Sequence, residues 1–210
     1  MKKRLVILFC AAGLGALPAL SQTQPGSWEL SVAGNFGSIS TSTEYTVAGQ
    51  TNSQDGEAQS YLGLDLRVGW FALEGLSIEP EIYILAIEQE PPTFNLGANL
   101  AYTFTIPSSP VKPYITAGYG IGNGIPIMQR LMGRTSDKLD IPVLRVGGGV
   151  KLFLSKQVAL KLEYRYERYS YETSATYSFY PYTYSYTAKE VWNHHTVLFG
   201  ISVFLPGAEE

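Results

Sequence analysis

The strongest pattern in the chain is an alternation of apolar and charged side chains in residues 160–167. Every even position carries leucine or tyrosine, and every odd position carries lysine, glutamate or arginine. Because successive side chains of a β-strand point to opposite faces, this pattern predicts a strand between two different environments. Period-two patterns of this kind predict eight strands along the chain. Their predicted bounds are residues 28–38, 60–71, 77–87, 94–106, 111–122, 142–154, 158–169 and 191–205.

The connections between the predicted strands alternate in length. Short connections fall at residues 72–76, 107–110 and 155–157. Longer polar connections fall at residues 39–59, 123–141 and 170–190, with a shorter member of the same set at residues 88–93. Short turns on one side and long extracellular loops on the other are typical of bacterial outer-membrane barrels. The pattern therefore predicts an all-β fold, an eight-stranded antiparallel up-and-down transmembrane β-barrel.

The first residues have the pattern of an export signal. Three basic residues follow the initial methionine, an apolar run fills residues 5–17, and Ala19 and Ser21 offer small side chains for cleavage. The run is shorter than the ~20 residues that a spanning helix needs. We therefore predict a cleaved signal peptide at residues 1–21, a barrel domain at residues 22–210 and a location in the outer membrane.

Charge and cysteine usage narrow the function classes. The chain has 15 basic and 18 acidic residues, and removal of the signal takes three basic ones. The remainder carries a formal net charge of about −6, so nucleic acid is not predicted as a partner. The only cysteine, Cys10, lies in the signal, so the barrel domain has no disulfide and no thiol ligand. Neither a metal nor a cofactor is predicted.

The two faces of the predicted strands differ in chemistry. One face is apolar and has no charge in its central span, which fits contact with lipid. The other face collects acids and bases, and the interior of an eight-stranded barrel is only wide enough for side chains to fill it. We therefore predict that these charges pair across the lumen and close it. The predicted lumen ion network comprises Asp65, Arg67, Glu79, Glu81, Arg145, Lys151, Lys161, Glu163, Arg165 and Glu167.

The short turns predict which of these residues lie opposite each other. The turn after the second strand places Arg67 opposite Glu81, where opposite charges stabilise a cross-strand pair by roughly 0.2–1 kcal/mol. The turn after the sixth strand places Arg145 opposite Glu167. A slip of one residue would move these charges to the lipid face, which costs roughly 2–4 kcal/mol for each Lys or Arg near the midplane.

The register after the sixth strand also creates one conflict. It places Lys151 opposite Lys161, and two like charges at directly opposed positions destabilise a sheet. The arrangement is acceptable if Glu163 bridges the two lysines diagonally. We therefore expect Glu163 to lie between them.

Three local motifs carry a family resemblance. They are the turn Pro107-Ser108-Ser109-Pro110, the strand opening Lys112-Pro113-Tyr114 and the alternating residues 162–166. Together with the signal and the amphipathic strands, they resemble the small eight-stranded outer-membrane barrel superfamily that includes the OmpA membrane domain, OmpX and OmpW. The resemblance covers nearly all of the chain after the signal. It implies a monomer whose partners are outer-membrane lipids and the barrel assembly machinery.

The resemblance implies three functions in descending order. Likeness to the OmpX type implies an integral surface-exposed protein with a structural, adhesion or surface-interaction role. Likeness to OmpW implies the alternative, a narrow porin-like conduit for small or hydrophobic molecules. A lipid-modifying enzyme is a distant third, and the chain is not predicted to be an enzyme.

A tyrosine-rich segment at residues 177–186 is the most unusual surface feature. Tyrosine and serine supply rigid contact area with adaptable hydrogen bonding, which is typical of binding loops. The alternation also indicates that the last two strands continue as a protruding hairpin, whose edges could pair with an extended chain. The alternative is an aromatic belt at the membrane interface. The candidate residues for binding an extracellular protein or surface ligand are Tyr177, Phe179, Tyr180, Tyr182, Tyr184 and Tyr186.

Other residues invite catalytic interpretations that the pattern does not favour. His194 and His195 are the only histidines, but adjacent strand residues point to opposite faces, and we expect two polar residues at the outer edge of the membrane. Glu79 and Glu81 share one face, where Arg67 gives Glu81 a structural role. The glycine-rich strand segments lack the helix start of a phosphate loop and are expected to make room for large neighbours.

Overall fold

The computed structural model describes residues 23–47, 49–86, 92–122, 141–179 and 182–207. The predicted signal peptide lies outside this described part of the chain. Within it, no helix has the length and apolar character that crossing a membrane demands. The strands are β1 (Trp28–Val47), β2 (Gln50–Asp55), β3 (Gln59–Leu73), β4 (Leu76–Ala86), β5 (Thr93–Thr103), β6 (Val111–Gly122), β7 (Ile141–Phe153), β8 (Val158–Phe179) and β9 (Tyr182–Leu205).

Eight of these strands form a closed antiparallel barrel. Each strand from β3 to β9 pairs with its neighbour in the chain, β1 pairs with β3, and a further pairing between β1 and β9 closes the ring. The remaining strand, β2, pairs with the distal part of β1 and lies outside the ring. The predicted fold class is therefore confirmed, with one strand added beyond the barrel.

The barrel wall has its apolar side chains outside and its charged side chains inside. In β4, Ile78 and Ile82 are 40% and 46% exposed, whereas Glu79 and Glu81 are 2% and 3% exposed. A protein surrounded by water would show the reverse, so the apolar exterior fits a lipid environment. The same exposed apolar face includes Leu30, Val32, Phe36, Leu62, Leu100, Ile115, Tyr119, Leu144, Val146, Leu162, Phe199 and Ile201.

Three strands extend beyond the predicted barrel bounds. The predicted end of β1 at residue 38 is wrong, because β1 continues to Val47, whereas β8 and β9 continue beyond residues 169 and 191 as the hairpin that the tyrosine-rich segment predicted. The extra residues are mainly serine, threonine and tyrosine, which favour strands, and those of β1 show no apolar alternation. Their backbones still pair, and they extend the wall on the side of the long connections. The predicted loops at residues 88–93 and 123–141 lie largely outside the described residues.

The extra strand segments continue the barrel sheet as a four-stranded extension in the order β2, β1, β9 and β8. We call it the protruding sheet. It comprises β2, residues 42–47 of β1, residues 170–179 of β8 and residues 182–191 of β9, which are joined by register pairs such as Ser42 with Val191. The chain therefore has two regions, a membrane barrel and a four-stranded extension of the same strands.

The short turns all lie at the other end of the barrel. The tight turn between β3 and β4 contains Gly75 with a φ of 74°, a conformation that glycine adopts without strain. Trp28 pairs with Leu205 at this same end. The barrel therefore starts and finishes on its periplasmic side, and the protruding sheet lies on the extracellular side.

Candidate functional site

Three arginines and four carboxylates fill the middle of the lumen. Arg67 Nε lies 2.7 Å from Asp65, and its Nη1 lies 2.9 Å from Glu163 on the opposing wall. Arg165 Nη1 lies 3.1 Å from Glu81, a contact that also crosses the lumen. We call this group the arginine layer, and its members are Asp65, Arg67, Glu81, Arg145, Glu163, Arg165 and Glu167.

The cross-strand pairs of the arginine layer follow the predicted register. Arg67 lies opposite Glu81 in the ladder between β3 and β4, with Nε and Oε2 3.1 Å apart. Arg145 lies opposite Glu167 in the ladder between β7 and β8, with Nε and Oε1 2.8 Å apart. Both registers are therefore confirmed.

Glycines make the space that the arginine layer occupies. A Cβ atom at Gly97 would overlap the guanidinium group of Arg145, and one at Gly120 would come within 3.0 Å of it. Gly118 gives the same room to the side chain of Asn99. The predicted role of glycines as space for large neighbours therefore applies at these positions.

A row of three lysines lies below the arginine layer. Lys112, Lys151 and Lys161 are register partners on β6, β7 and β8, and all three are at most 2% exposed. The Nζ atoms of Lys151 and Lys161 lie 5.0 and 5.1 Å from the ring centre of Tyr114. Cation–π contact with this shared ring helps to hold two adjacent ammonium groups in the lumen.

The predicted bridge between the opposed lysines is only half correct. Glu163 lies 3.6 Å from Lys161. Lys151 instead donates a 2.5 Å hydrogen bond to Glu29 of β1, which also accepts one from Ser202. Glu163 is already bound by arginines of the layer above, so it is not available to both lysines.

The sequence placed Glu29 on the lumen face but outside the predicted ion network, and it did not identify Lys112. Lys112 and Glu29 are both buried there, and with them the barrel lumen holds six bases and six acids among the described residues. Lys112 lies two residues before Tyr114 and four before Thr116 on β6, so its side chain points to the same face as theirs. This spacing could have placed Lys112 in the lumen. The charges of this part of the lumen therefore balance.

Aromatic side chains lie at both ends of the charged zone. At the periplasmic end, Phe71, Phe153 and Phe204 pack together, and Lys112 Nζ lies 4.9 Å from the ring centre of Phe153. At the extracellular end lies a cluster that we call the upper cluster. It comprises Ile39, Tyr61, Tyr83, Leu85, Ile141, Val143, Tyr169 and Trp192. Side chains therefore fill the described lumen at three successive levels, which are the phenylalanines, the charged residues and the upper cluster.

The two histidines occupy different environments. His194 is fully buried in the lumen, where its ring lies 4.4 Å from that of Tyr169 and its Nδ1 lies 3.7 Å from Glu167. His195 faces outward and forms a 2.7 Å hydrogen bond through Nδ1 with the hydroxyl of Tyr164. The two histidines therefore face opposite sides of the wall, as the alternation of strand residues predicts.

The ladder between β3 and β4 is interrupted within the apolar exterior. Val68 and Gly69 of β3 have no register partners in Glu79 and Pro80 of β4, although residues on both sides are paired. Proline has no backbone N–H to donate, which explains the break. A cavity of about 480 Å³ opens here, lined mainly by apolar residues of β1, β3, β4 and β5. We call it the lateral notch.

The protruding sheet carries the tyrosine-rich segment. Its register pairs Tyr177 with Tyr184 and Phe179 with Tyr182, which confirms that β8 and β9 continue as a hairpin. Tyr186 pairs with Val47 of β1. The candidate Tyr180 lies outside the described residues.

The lower part of the protruding sheet has polar and charged contacts. Glu44, Lys189 and Glu172 are register neighbours across β1, β9 and β8, and all three are exposed. Glu190 is buried instead and accepts a 3.3 Å hydrogen bond from Trp192. Burial raises the pKa of the Glu190 carboxyl, because desolvation disfavours its ionised form.

A closed barrel with an apolar exterior and a charged interior defines an integral outer-membrane β-barrel protein. Residues 7–203 match the family model for the outer membrane protein beta-barrel domain, and the chain belongs to that family. No curated protein sequence matches the chain significantly.

Two solved structures have the same fold. The outer membrane protein OprG from Pseudomonas aeruginosa is 12% identical, with a TM-score of 0.54 over 88% of this chain and 99% of that one. Neisserial surface protein A is 17% identical, with a TM-score of 0.50 over 81% of this chain and 96% of that one. At these identities the likeness shows the fold alone.

Proposed function

We propose that this protein is a surface-exposed outer-membrane protein that binds an extracellular protein through its protruding sheet. The observation that carries this proposal is the continuation of β1, β8 and β9 beyond the apolar exterior, with β2 added at one edge. A barrel that served only as a membrane anchor would need no such extension. The barrel is the anchor, and the protruding sheet is the binding surface.

The lumen supports an anchoring role for the barrel. Ion pairs in the arginine layer join opposing walls, and aromatic side chains lie above and below them. Breaking a buried ion pair by removing one partner costs roughly 3–5 kcal/mol, so opening an axial path through this layer is strongly unfavourable. This closure argues against a permanent axial pore.

The protruding sheet has two properties of a protein-binding surface. Its tyrosine, serine and threonine composition supplies large contact area with adaptable hydrogen bonds. All residues of its edge strand β2 are exposed, and β1 is the one described strand that pairs with β2. An extended segment of a partner can therefore add to this edge through backbone hydrogen bonds.

Shortening the hairpin tests this proposal. Ser174 and Thr187 are direct register partners, so an Asn-Gly turn between them replaces residues 175–186 with a two-residue hairpin loop. We expect the shortened protein to fold and to lose binding when expressing cells are tested on a panel of immobilised serum and matrix proteins. Heat-modifiable migration on a denaturing gel checks that the barrel has folded.

A composition variant separates tyrosine chemistry from hairpin length. In this variant the hairpin keeps its length, and its tyrosines and Phe179 are replaced by serine or threonine. Loss of binding in both variants supports contact through the aromatic side chains, and loss in the shortened variant alone supports pairing through the backbone. The edge strand β2 remains in the shortened variant, so a third variant disrupts it with proline at Asn52 and Ser53. Full binding by both the shortened variant and the β2 variant contradicts the proposal.

The lateral notch favours a second function, the binding and transfer of a hydrophobic molecule. Its volume of about 480 Å³ lies within the range of small-molecule sites, roughly 300–1,000 Å³. It opens toward lipid rather than along the closed lumen. A molecule dissolved in the membrane can therefore reach it from the side.

A substitution of Pro80 tests this second function. Pro80→Phe restores a backbone N–H and places a larger side chain in the notch. We expect slower uptake of an apolar fluorophore into vesicles that contain the variant than into vesicles with the wild-type protein. Equal rates for the two proteins, at equal amounts of folded barrel, reject transfer through the notch.

A further inference from the structure

One charged side chain lies on the outward face of the barrel. Arg168 is the only charged residue among the described outward-facing positions of the barrel strands below the protruding sheet, and it is exposed. All other outward positions there are apolar, aromatic or uncharged polar. An isolated cation on a lipid-facing wall is expensive unless it reaches the headgroup region.

The height of Arg168 corresponds to the headgroup region. It lies ten residues along β8 from Val158, at the periplasmic start of the strand. At ~3.3 Å per residue and a tilt of about 35–45°, this length rises roughly 25 Å, the height of the apolar band of an outer-membrane barrel. His195 lies ten residues from Leu205 on β9, at the corresponding height.

The neighbours of Arg168 are held in place by tyrosines. Arg168 is the register partner of Asn193, and Tyr166 is the register partner of His195. The Tyr166 hydroxyl donates a 2.6 Å hydrogen bond to Oδ1 of Asn193, which leaves the Asn193 amide N–H groups for another acceptor. The Tyr164 hydroxyl binds Nδ1 of His195 at 2.7 Å and leaves Nε2 for an outside partner.

These groups form a surface made mainly of donors. The guanidinium of Arg168 has five N–H groups, and the free amide of Asn193 and Nε2 of His195 lie on the same face. The next acidic residue along the outward face of β8 is Glu172, four residues and roughly 13 Å beyond Arg168. A cluster of donors with no acid nearby among the described residues suits an anion, and a guanidinium binds a phosphate with two parallel hydrogen bonds.

We propose that Arg168, Asn193 and His195 form a binding site for a phosphate group on a glycolipid of the outer leaflet. The barrel supplies a surface for the acyl chains directly below. Leu144 is the register partner of Arg168 on β7, and Val146 and Phe199 follow toward the membrane centre, with 59%, 53% and 61% of their surface exposed. The site therefore combines a polar headgroup contact with an apolar wall for the lipid tails.

The experiment compares the folded protein in phosphatidylcholine vesicles with and without diphosphorylated lipid A. The readout is the temperature at which the folded gel band converts to the unfolded one, measured over a range of lipid A fractions. We expect lipid A to raise this temperature for the wild-type protein. Arg168→Gln should weaken the apparent affinity about tenfold, which corresponds to about 1.4 kcal/mol.

Matched controls isolate the phosphate contact. Lys156→Gln removes the same charge from an exposed turn at the periplasmic end, and it should respond to lipid A like the wild type. Dephosphorylated lipid A has the same chains and should have little effect. An equal response of Arg168→Gln and the wild type overturns the proposal, as does an equal effect of the dephosphorylated lipid.

Inorganic phosphate distinguishes a lipid site from a site for a free anion. Added to phosphatidylcholine vesicles at concentrations that match the lipid A phosphate, it should leave the conversion temperature unchanged. If inorganic phosphate alone reproduces the effect of lipid A, the assignment to a membrane lipid is wrong. Because Arg168 is exposed on the outer wall, its substitution leaves the lumen contacts intact, and folding is checked before lipid is added.

Discussion

The two halves of β8 use the same backbone pairing but very different side-chain contacts. In the barrel half, Lys161, Glu163, Arg165 and Glu167 are buried, and Glu163 and Arg165 contact strands across the lumen. From Glu172 outward, the described register pairs β8 with β9 alone. The barrel half therefore depends on a few buried charges, whereas the protruding half depends on many weak backbone and surface contacts.

This difference shows how one strand can be stable in two environments. A strand between lipid and a filled lumen needs strict alternation. A charged side chain on the lipid face is costly, and so is the loss of one partner of an ion pair in the lumen. A strand in water on both faces needs only β-propensity and paired backbone groups. Substitutions should therefore have large local costs in the barrel and small ones in the protruding sheet.

The largest effect should follow the loss of Arg67. Arg67→Ala removes one of the two guanidinium groups that Asp65, Glu81 and Glu163 share, so that Arg165 alone faces all three carboxylates. We expect the free energy of unfolding to fall by roughly 3–5 kcal/mol. Urea titration in vesicles, followed by tryptophan fluorescence, measures this change. Arg168→Ala on the outer wall is the control in pure phosphatidylcholine, with an expected change within about 0.5 kcal/mol. Equal losses would contradict the distinction between the two faces of the wall.

A pair of glycine substitutions should have an intermediate effect. Gly97→Ala places a Cβ against Arg145 in the arginine layer, and we expect overpacking to cost roughly 1–3 kcal/mol. A Cβ at Gly34 meets no atom within 4 Å, so Gly34→Ala should be neutral or slightly stabilising. The same urea titration compares them. A cost at Gly34 that matched the cost at Gly97 would show that lumen packing is not the cause.

A smaller effect is expected from charge reversal in the protruding sheet. Lys189→Glu places three acids side by side with Glu44 and Glu172, which should destabilise the protein by about 0.2–1 kcal/mol. Because these side chains are exposed, the effect should shrink in 1 M salt, where charges are screened beyond about 3 Å. The loss in Arg67→Ala should persist in the same salt, since its partners are buried. Urea titrations with and without salt test both statements.

The smallest effect should come from Glu190 and should depend on pH. Burial raises the pKa of this carboxyl in the folded protein, so ionisation disfavours the folded state as the pH rises from the unfolded pKa through the raised folded pKa. Glu190→Gln should therefore be more stable than the wild type at pH 8 and equal to it at pH 3. Urea midpoints of the two proteins at both pH values provide the test. A larger difference at pH 3 would reverse the assigned sign.

The barrel was predictable from the sequence because its strands must alternate. Two local features, the alternation and the short turns, were enough to place Arg67 opposite Glu81 and Arg145 opposite Glu167. Neither feature identifies which strands lie opposite each other across the lumen. The contact of Lys151 with Glu29 joins β7 to β1 and depends on barrel closure, so it could not be predicted from neighbouring strands.

The protruding sheet was only partly predictable for a different reason. The tyrosine-rich hairpin keeps a period of two and indicated a continued strand. Residues 40–55 are mostly serine, threonine, glutamine and asparagine, and no apolar face marks β2 or the end of β1. Their strand structure follows from pairing with β9, a contact between distant parts of the chain.

The pairing between β1 and β9 also determines when the barrel can close. It runs from Trp28 opposite Leu205 to Val47 opposite Tyr186, so the first and last strands of the chain close the ring. Until β9 has been synthesised and exported, β1 and β8 each retain an unpaired barrel edge that can aggregate. The cell must therefore shield an unclosed sheet throughout export. A chain truncated before β9 should be degraded rather than form a smaller barrel.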